Sequence, residues 1–115
     1  MKPLLPLILL AAPALADGPV IETATARQTS SGWSFDVTLS HPDTGWEHYA
    51  DGWRVLAPDG TELGLRALLH PHEHEQPFTR SLSGVQIPDG VTQVRIQARC
   101  IVDGWSDETY VINLE

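Results

Sequence analysis

Sulfur is almost missing from this chain, which has one cysteine, Cys100, and one methionine, Met1. A single cysteine excludes an internal disulfide even where the compartment would allow one. Positive charge is also scarce: seven Lys and Arg stand against fifteen Asp and Glu, for a formal net charge of −8. Such a chain is repelled by the phosphates of nucleic acid and of anionic membrane surfaces, so neither is an expected partner. No stretch beyond the N-terminal segment is continuously apolar, and none carries apolar residues at helical spacing. Catalytic signatures are absent too: there is no G-x-S-x-G elbow, no H-E-x-x-H and no phosphate-cradling glycine loop. Asp43 and Glu47 can be drawn as a glycosidase couple, but nothing in the sequence fixes their separation. The chain reads as a non-enzyme.

What is present begins with an export signal over residues 1–16. Lys2 supplies the positive start, LLPLILLAAPALA a short apolar run, and Ala14-Leu15-Ala16 the small-x-small form that signal peptidase accepts. The run is shorter than the roughly 20 residues of a membrane-spanning helix. The expected product is one domain over residues 17–115, periplasmic or secreted, with no membrane insertion after cleavage. Cleavage removes Met1, leaving no thioether to offer a soft Cu(I) ion.

The mature region alternates with the period of two that marks half-buried strands. Trp33, Phe35, Val37 and Leu39 oppose Ser34, Asp36, Thr38 and Ser40, and Val94, Ile96, Ala98 and Cys100 oppose Arg95, Gln97 and Arg99. A third strand over 47–57 is expected to turn Tyr49, Trp53 and Val55 inward, with a bulge at Asp51-Gly52. In the fourth, Leu63 and Leu65 are expected inward against Gly64 and Arg66. Pro58-Asp59-Gly60 and Pro88-Asp89-Gly90 are turns in which proline presets φ and glycine accepts its positive values. Further strands are read at 20–28, 78–87 and 109–114. About seven short strands with turn signals between them predict an all-β, immunoglobulin-like or fibronectin-like antiparallel sandwich; a small barrel is the alternative.

All five histidines lie between positions 41 and 74. LLHPHEHE places His70, His72 and His74 at alternate positions, on one side of an extended chain, with Glu73 and Glu75 between and after them. Neutral imidazoles so arranged suit Cu(II) or Zn(II), with His41 or His48 and a nearby carboxylate as candidate further ligands if the loops meet. Because only neutral imidazole ligates, such affinity falls as pH drops through roughly 6.5. The same loop reads equally as a hydrated turn. HPDTGWEHYAD lacks the spacing of a calcium loop, and Asp43 with Thr44 reads as turn capping. Cys100, on the inward face of its strand, reads as a small buried hydrophobe, with a ligand or reactive thiol as the other possibility. Trp46 and Trp105, each beside a glycine in an expected loop, define the rival reading: a module that holds a protein or glycan partner without metal.

The runs HPDTGWEHYADGW, APDGTELG, LHPH, EQPFTRSL and IPDGV together resemble a family of small exported bacterial proteins of uncharacterised function, across nearly the whole mature chain. The resemblance implies export and supplies no activity, substrate or cofactor. Where that family has Ala-His-Asp and a later His-Gly-aromatic, this chain has Ala98-Arg99-Cys100 and Asp103-Gly104-Trp105.

Overall fold

Alternation in the sequence becomes two antiparallel sheets whose apolar faces meet. A computed structural model describes residues 18–114; the expected signal segment, 1–16, lies outside them. The strands are β1 (Val20–Thr29), β2 (Gly32–Ser40), β3 (Ala50–Leu56), β4 (Glu62–Ala67), β5 (Phe78–Val85), β6 (Gln93–Cys100), β7 (Gly104–Trp105) and β8 (Tyr110–Asn113). One sheet runs β1-β2-β5. The other runs β4-β3-β6, and both β7 and β8 pair with the far edge of β6. This is an all-β sandwich in which β4 stays beside β3, the fibronectin-like arrangement of an immunoglobulin-like fold. Among the described residues no helix is long and apolar enough to cross a membrane.

The core lies between the sheets. Phe35, Val37 and Leu39 from β2 meet Trp53 and Val55 from β3 and Val94, Ile96 and Ala98 from β6, and each of these side chains is buried. Trp33 and Leu63 pack against this cluster from partly exposed positions. The bulge expected at Asp51-Gly52 is present: the β3–β6 register shifts between Ala50 and Gly52.

Leu63 packs against the core as expected, but past the register shift beside it the fourth strand departs from its expected phase. Gly64 pairs with Val55, so it is Gly64 that faces the core, while Leu65 pairs with Arg54 on the outer face and is 43% exposed. The cause is space. A Cβ on Gly64 would sit 3.0 Å from Leu82 Cδ2 and 3.2 Å from Val85 Cγ2, side chains of the opposite sheet. A glycine permits that approach, and the reversed phase carries through to a buried Leu68 and an exposed Leu69. Seven strands become eight because Gly104 and Trp105, expected in a loop, pair with Cys100 and Arg99 as β7. There the Trp105 ring lies under two guanidinium groups, Arg54 at 3.8 Å and Arg99 at 4.7 Å from its centroid.

Register places three loops at one end of the sandwich. Leu39 pairs with Phe78, Gly52 with Ala67 and Ala50 with Cys100. The connections 41–49, 68–77 and 101–103 therefore converge, and they contain all five histidines and adjoin the only cysteine.

Candidate metal centre

The convergent end is organised by a buried carboxylate. Asp43 lies three residues beyond the end of β2, and its side chain has no solvent exposure. Asp43 Oδ1 accepts from His41 Nδ1 at 2.6 Å and from the backbone N–H of Ala50 at 2.9 Å. Asp43 Oδ2 accepts from the backbone N–H of His72 at 2.7 Å. One side chain thus ties its own loop to the start of β3 and to the loop after β4. Gln76 adds a second tie: its Oε1 accepts from His41 N–H at 2.9 Å and its Nε2 donates to the His72 carbonyl at 2.8 Å.

Giving the Nδ1 proton to Asp43 fixes the tautomer of His41, so the neutral ring presents a bare lone pair at Nε2. That nitrogen is buried and has no hydrogen-bond partner, and the same is true of His48 Nε2. The two rings meet edge to face with centroids 4.9 Å apart. Beside them is Cys100, the last residue of β6. His41, His48 and Cys100 each offer one ligand atom, and the three atoms lie within 4.8 Å of one another. His41 is 3% exposed and Cys100 0%, while His48 is half-buried. Burial pushes the Cys100 thiol above its usual range, against the opposing pull of the backbone amides of Asp103 and Val102.

The other predicted ligands are placed differently. Residues 70–77 form bends rather than an extended strand, so alternate residues do not share a side. Pro71 and Pro77 withhold the amide donors a ladder needs. His72 turns inward and stacks on Phe78, with centroids 3.9 Å apart and planes 12° from parallel. Its Nε2 accepts from Arg80 Nη2 at 3.0 Å. His70 leans on the His72 ring at 4.6 Å but is itself exposed, as is His74. Glu73 is exposed, and Glu75 pairs with Arg80 at 3.3 Å. Trp46 stays 65% exposed, edge-on to Tyr49. The structure thus brings together His41 and His48 from the predicted set, keeps His70 and His74 at the surface, and adds Cys100. Only the position of Cys100 at the loop end of its strand, level with the histidine-bearing loops, could have signalled its place in the cluster.

Desolvation, with Arg80 and His70 nearby, lowers the His72 pKa below its ordinary 6.5, and the pull of Glu75 and Asp43 only partly offsets this. Unfolding therefore raises this pKa, so the unfolded chain takes up a proton first as pH falls. The stability contributed by a neutral His72 is complete above about 6.5 and is lost on acidification below it. We expect urea midpoints of the native protein to fall between pH 7.5 and pH 5 more steeply than those of His72→Gln. Parallel curves would show that this ring does not drive the acid sensitivity.

Fold and cluster together define a small all-β sandwich carrying a histidine–cysteine–carboxylate group at one end. Over 101 residues, 88% of its length, the chain is 34% identical to a protein of Halomicrobium mukohataei described as "Putative lipoprotein". The chain spans about half the length of that relative, 49%. No protein-family model and no solved structure matches it.

Proposed function

We propose that this is a small exported, non-catalytic binding domain that holds one transition-metal ion on His41, His48 and Cys100, with Asp43 orienting His41. The observation that carries the reading is the pair of buried, unpartnered imidazole nitrogens, His41 Nε2 and His48 Nε2, in a cluster whose third member is a thiol. Buried polar atoms without partners are uncommon in folded proteins and call for a ligand or a physical cause. A cation satisfies both lone pairs at once. The carboxylate behind His41 is the usual partner of a metal-bound imidazole, since it fixes the ring and raises its basicity. Export is supported by the character of residues 1–16 and by the relative's description as a lipoprotein. The single thiol of this chain is fully buried, so Cys100 is not where a lipid would attach. The acidic charge favours approach of cations.

Calorimetric titration of tag-free, metal-free protein with Zn(II) and Cu(II) tests the site. One ion per chain is expected. His48→Ala and Cys100→Ala should each weaken binding by at least about tenfold, the scale on which even supporting partners of metal ligands act. A His70→Ala, His74→Ala double variant should bind as the native chain does. The opposite pattern, with binding lost only in the double variant, would place the ion on the 70–75 loop. No saturable binding would leave the cluster as packed polar side chains.

A further inference from the structure

Resting on the metal reading above, we infer that the ion is copper, held in a three-coordinate His2Cys site that passes between Cu(II) and Cu(I). The donor count is the first argument. Among the described residues the group that can hold an ion has three members; the Asp43 carboxylate behind it is already committed, accepting three N–H groups from His41, Ala50 and His72, and Asp103, whose carboxylate acts on the Cys100 thiol, stands outside the group. Structural zinc sites take four protein ligands, and catalytic zinc keeps water in the fourth position. Two imidazoles and one thiolate without a fourth strong donor is instead the ligand set of copper electron-transfer centres. Within the described residues there is no methionine to act as a weak axial ligand, so the three in-plane donors carry the coordination.

The second argument is the placement of the thiol. Cu(II) ordinarily oxidises free thiols to disulfides, which needs a second sulfur to reach the first. Cys100 is the only cysteine and is 0% exposed, so that route is closed within the chain and sterically blocked between chains. A Cu(II)–thiolate bond can therefore persist. Rigidity is the third. His41 leaves β2 in one sheet, whereas Cys100 ends β6 and His48 enters β3 in the other. The ligands thus span both layers, and the Asp43 and Gln76 ties hold the loops to one another. A frame of this kind resists the change in geometry that separates the preferences of the two oxidation states.

Loading and reduction both balance in charge. Loading releases one proton: the thiol S–H bond breaks, an S–Cu bond forms, and the two neutral imidazoles add their lone pairs. Cu(II) with one thiolate leaves the site at +1. One electron from an external one-electron donor makes it neutral, with no bond to protein broken.

One equivalent of Cu(II) added to metal-free protein should give an intense visible thiolate-to-copper charge-transfer band. Ascorbate should bleach it and ferricyanide restore it over repeated cycles. The band should vanish in Cys100→Ser, and His48→Ala, which keeps the thiol, should shift or abolish it; circular dichroism checks that each variant is folded. The His70→Ala, His74→Ala variant should retain it unchanged. Copper is overturned, with the metal reading intact, if Zn(II) or Co(II) binds one-to-one through these residues while Cu(II) gives no thiolate band. The same holds if Cu(II) oxidises Cys100. If no metal ion binds, both readings fall.

Discussion

Replacing Asp43 by alanine should cost this domain about 3–5 kcal/mol, the range seen when one member of a buried charged network is removed. The substitution strips the acceptor from His41 Nδ1, from the Ala50 amide and from the His72 amide. All three bonds are buried, and an orphaned buried donor costs roughly 1–3 kcal/mol. Relaxation and water entry keep the total below the sum. Against a typical stability of about 5–15 kcal/mol, such a loss leaves a marginal fold. Asp43→Asn separates the carboxylate's structural part from its effect on the ion. The amide keeps the volume and one acceptor oxygen but turns an NH2 toward one of the former donors. It should cost about 1–3 kcal/mol and weaken metal affinity about 10- to 100-fold by loosening His41. Urea unfolding of both variants, with metal titration of Asp43→Asn, checks this. A loss below about 1 kcal/mol for the alanine variant would mean that the three donors find water or other acceptors.

Legibility in the sequence followed what each signal depends on. The strands β2 and β6 were readable because their inward positions are uniformly apolar and their outward ones polar, so period alone orients them. β4 was not. Its leucines suggest an inward face, but its orientation is set by the pairing of Gly64 with Val55 and by the bulk of Leu82 and Val85 across the sandwich. Those are long-range facts that a local pattern does not encode. The same limit governs the cluster. That His41 and His48 lie on one short loop is visible in the sequence, but that their rings meet depends on how the loop folds back. The inward face of Cys100 was visible too, but its nearness to those histidines requires the Ala50–Cys100 register. The expected alternation of His70, His72 and His74 assumes an extended chain, and the bends over 70–77 remove that assumption. Asp43 looked like a turn cap because its spacing from His41 is local, whereas two of its three partners, Ala50 and His72, are seven and 29 residues away.

The second large effect is expected at the centre of the sandwich. Trp53 is the largest side chain with no exposure, and it sits on β3 opposite Arg66 in β4 and Ala98 in β6. Trp53→Ala should destabilise by about 3–5 kcal/mol through lost burial and the cavity left behind, since β-sheet backbones on both sides hinder collapse. Trp53→Phe tests a separate feature. The indole Nε1 is buried with no hydrogen-bond partner, a group whose desolvation costs roughly 1–3 kcal/mol in the native protein. Phenylalanine gives up part of the ring's packing but also removes that orphan donor, so the two changes oppose one another. The net effect should stay within about 1.5 kcal/mol, the range of volume-tolerant apolar swaps. Urea midpoints should therefore rank the native chain and Trp53→Phe close together and Trp53→Ala far below. A phenylalanine variant as damaged as the alanine variant would show that Nε1 has a partner, such as an ordered water, whose loss outweighs the packing that the smaller ring retains.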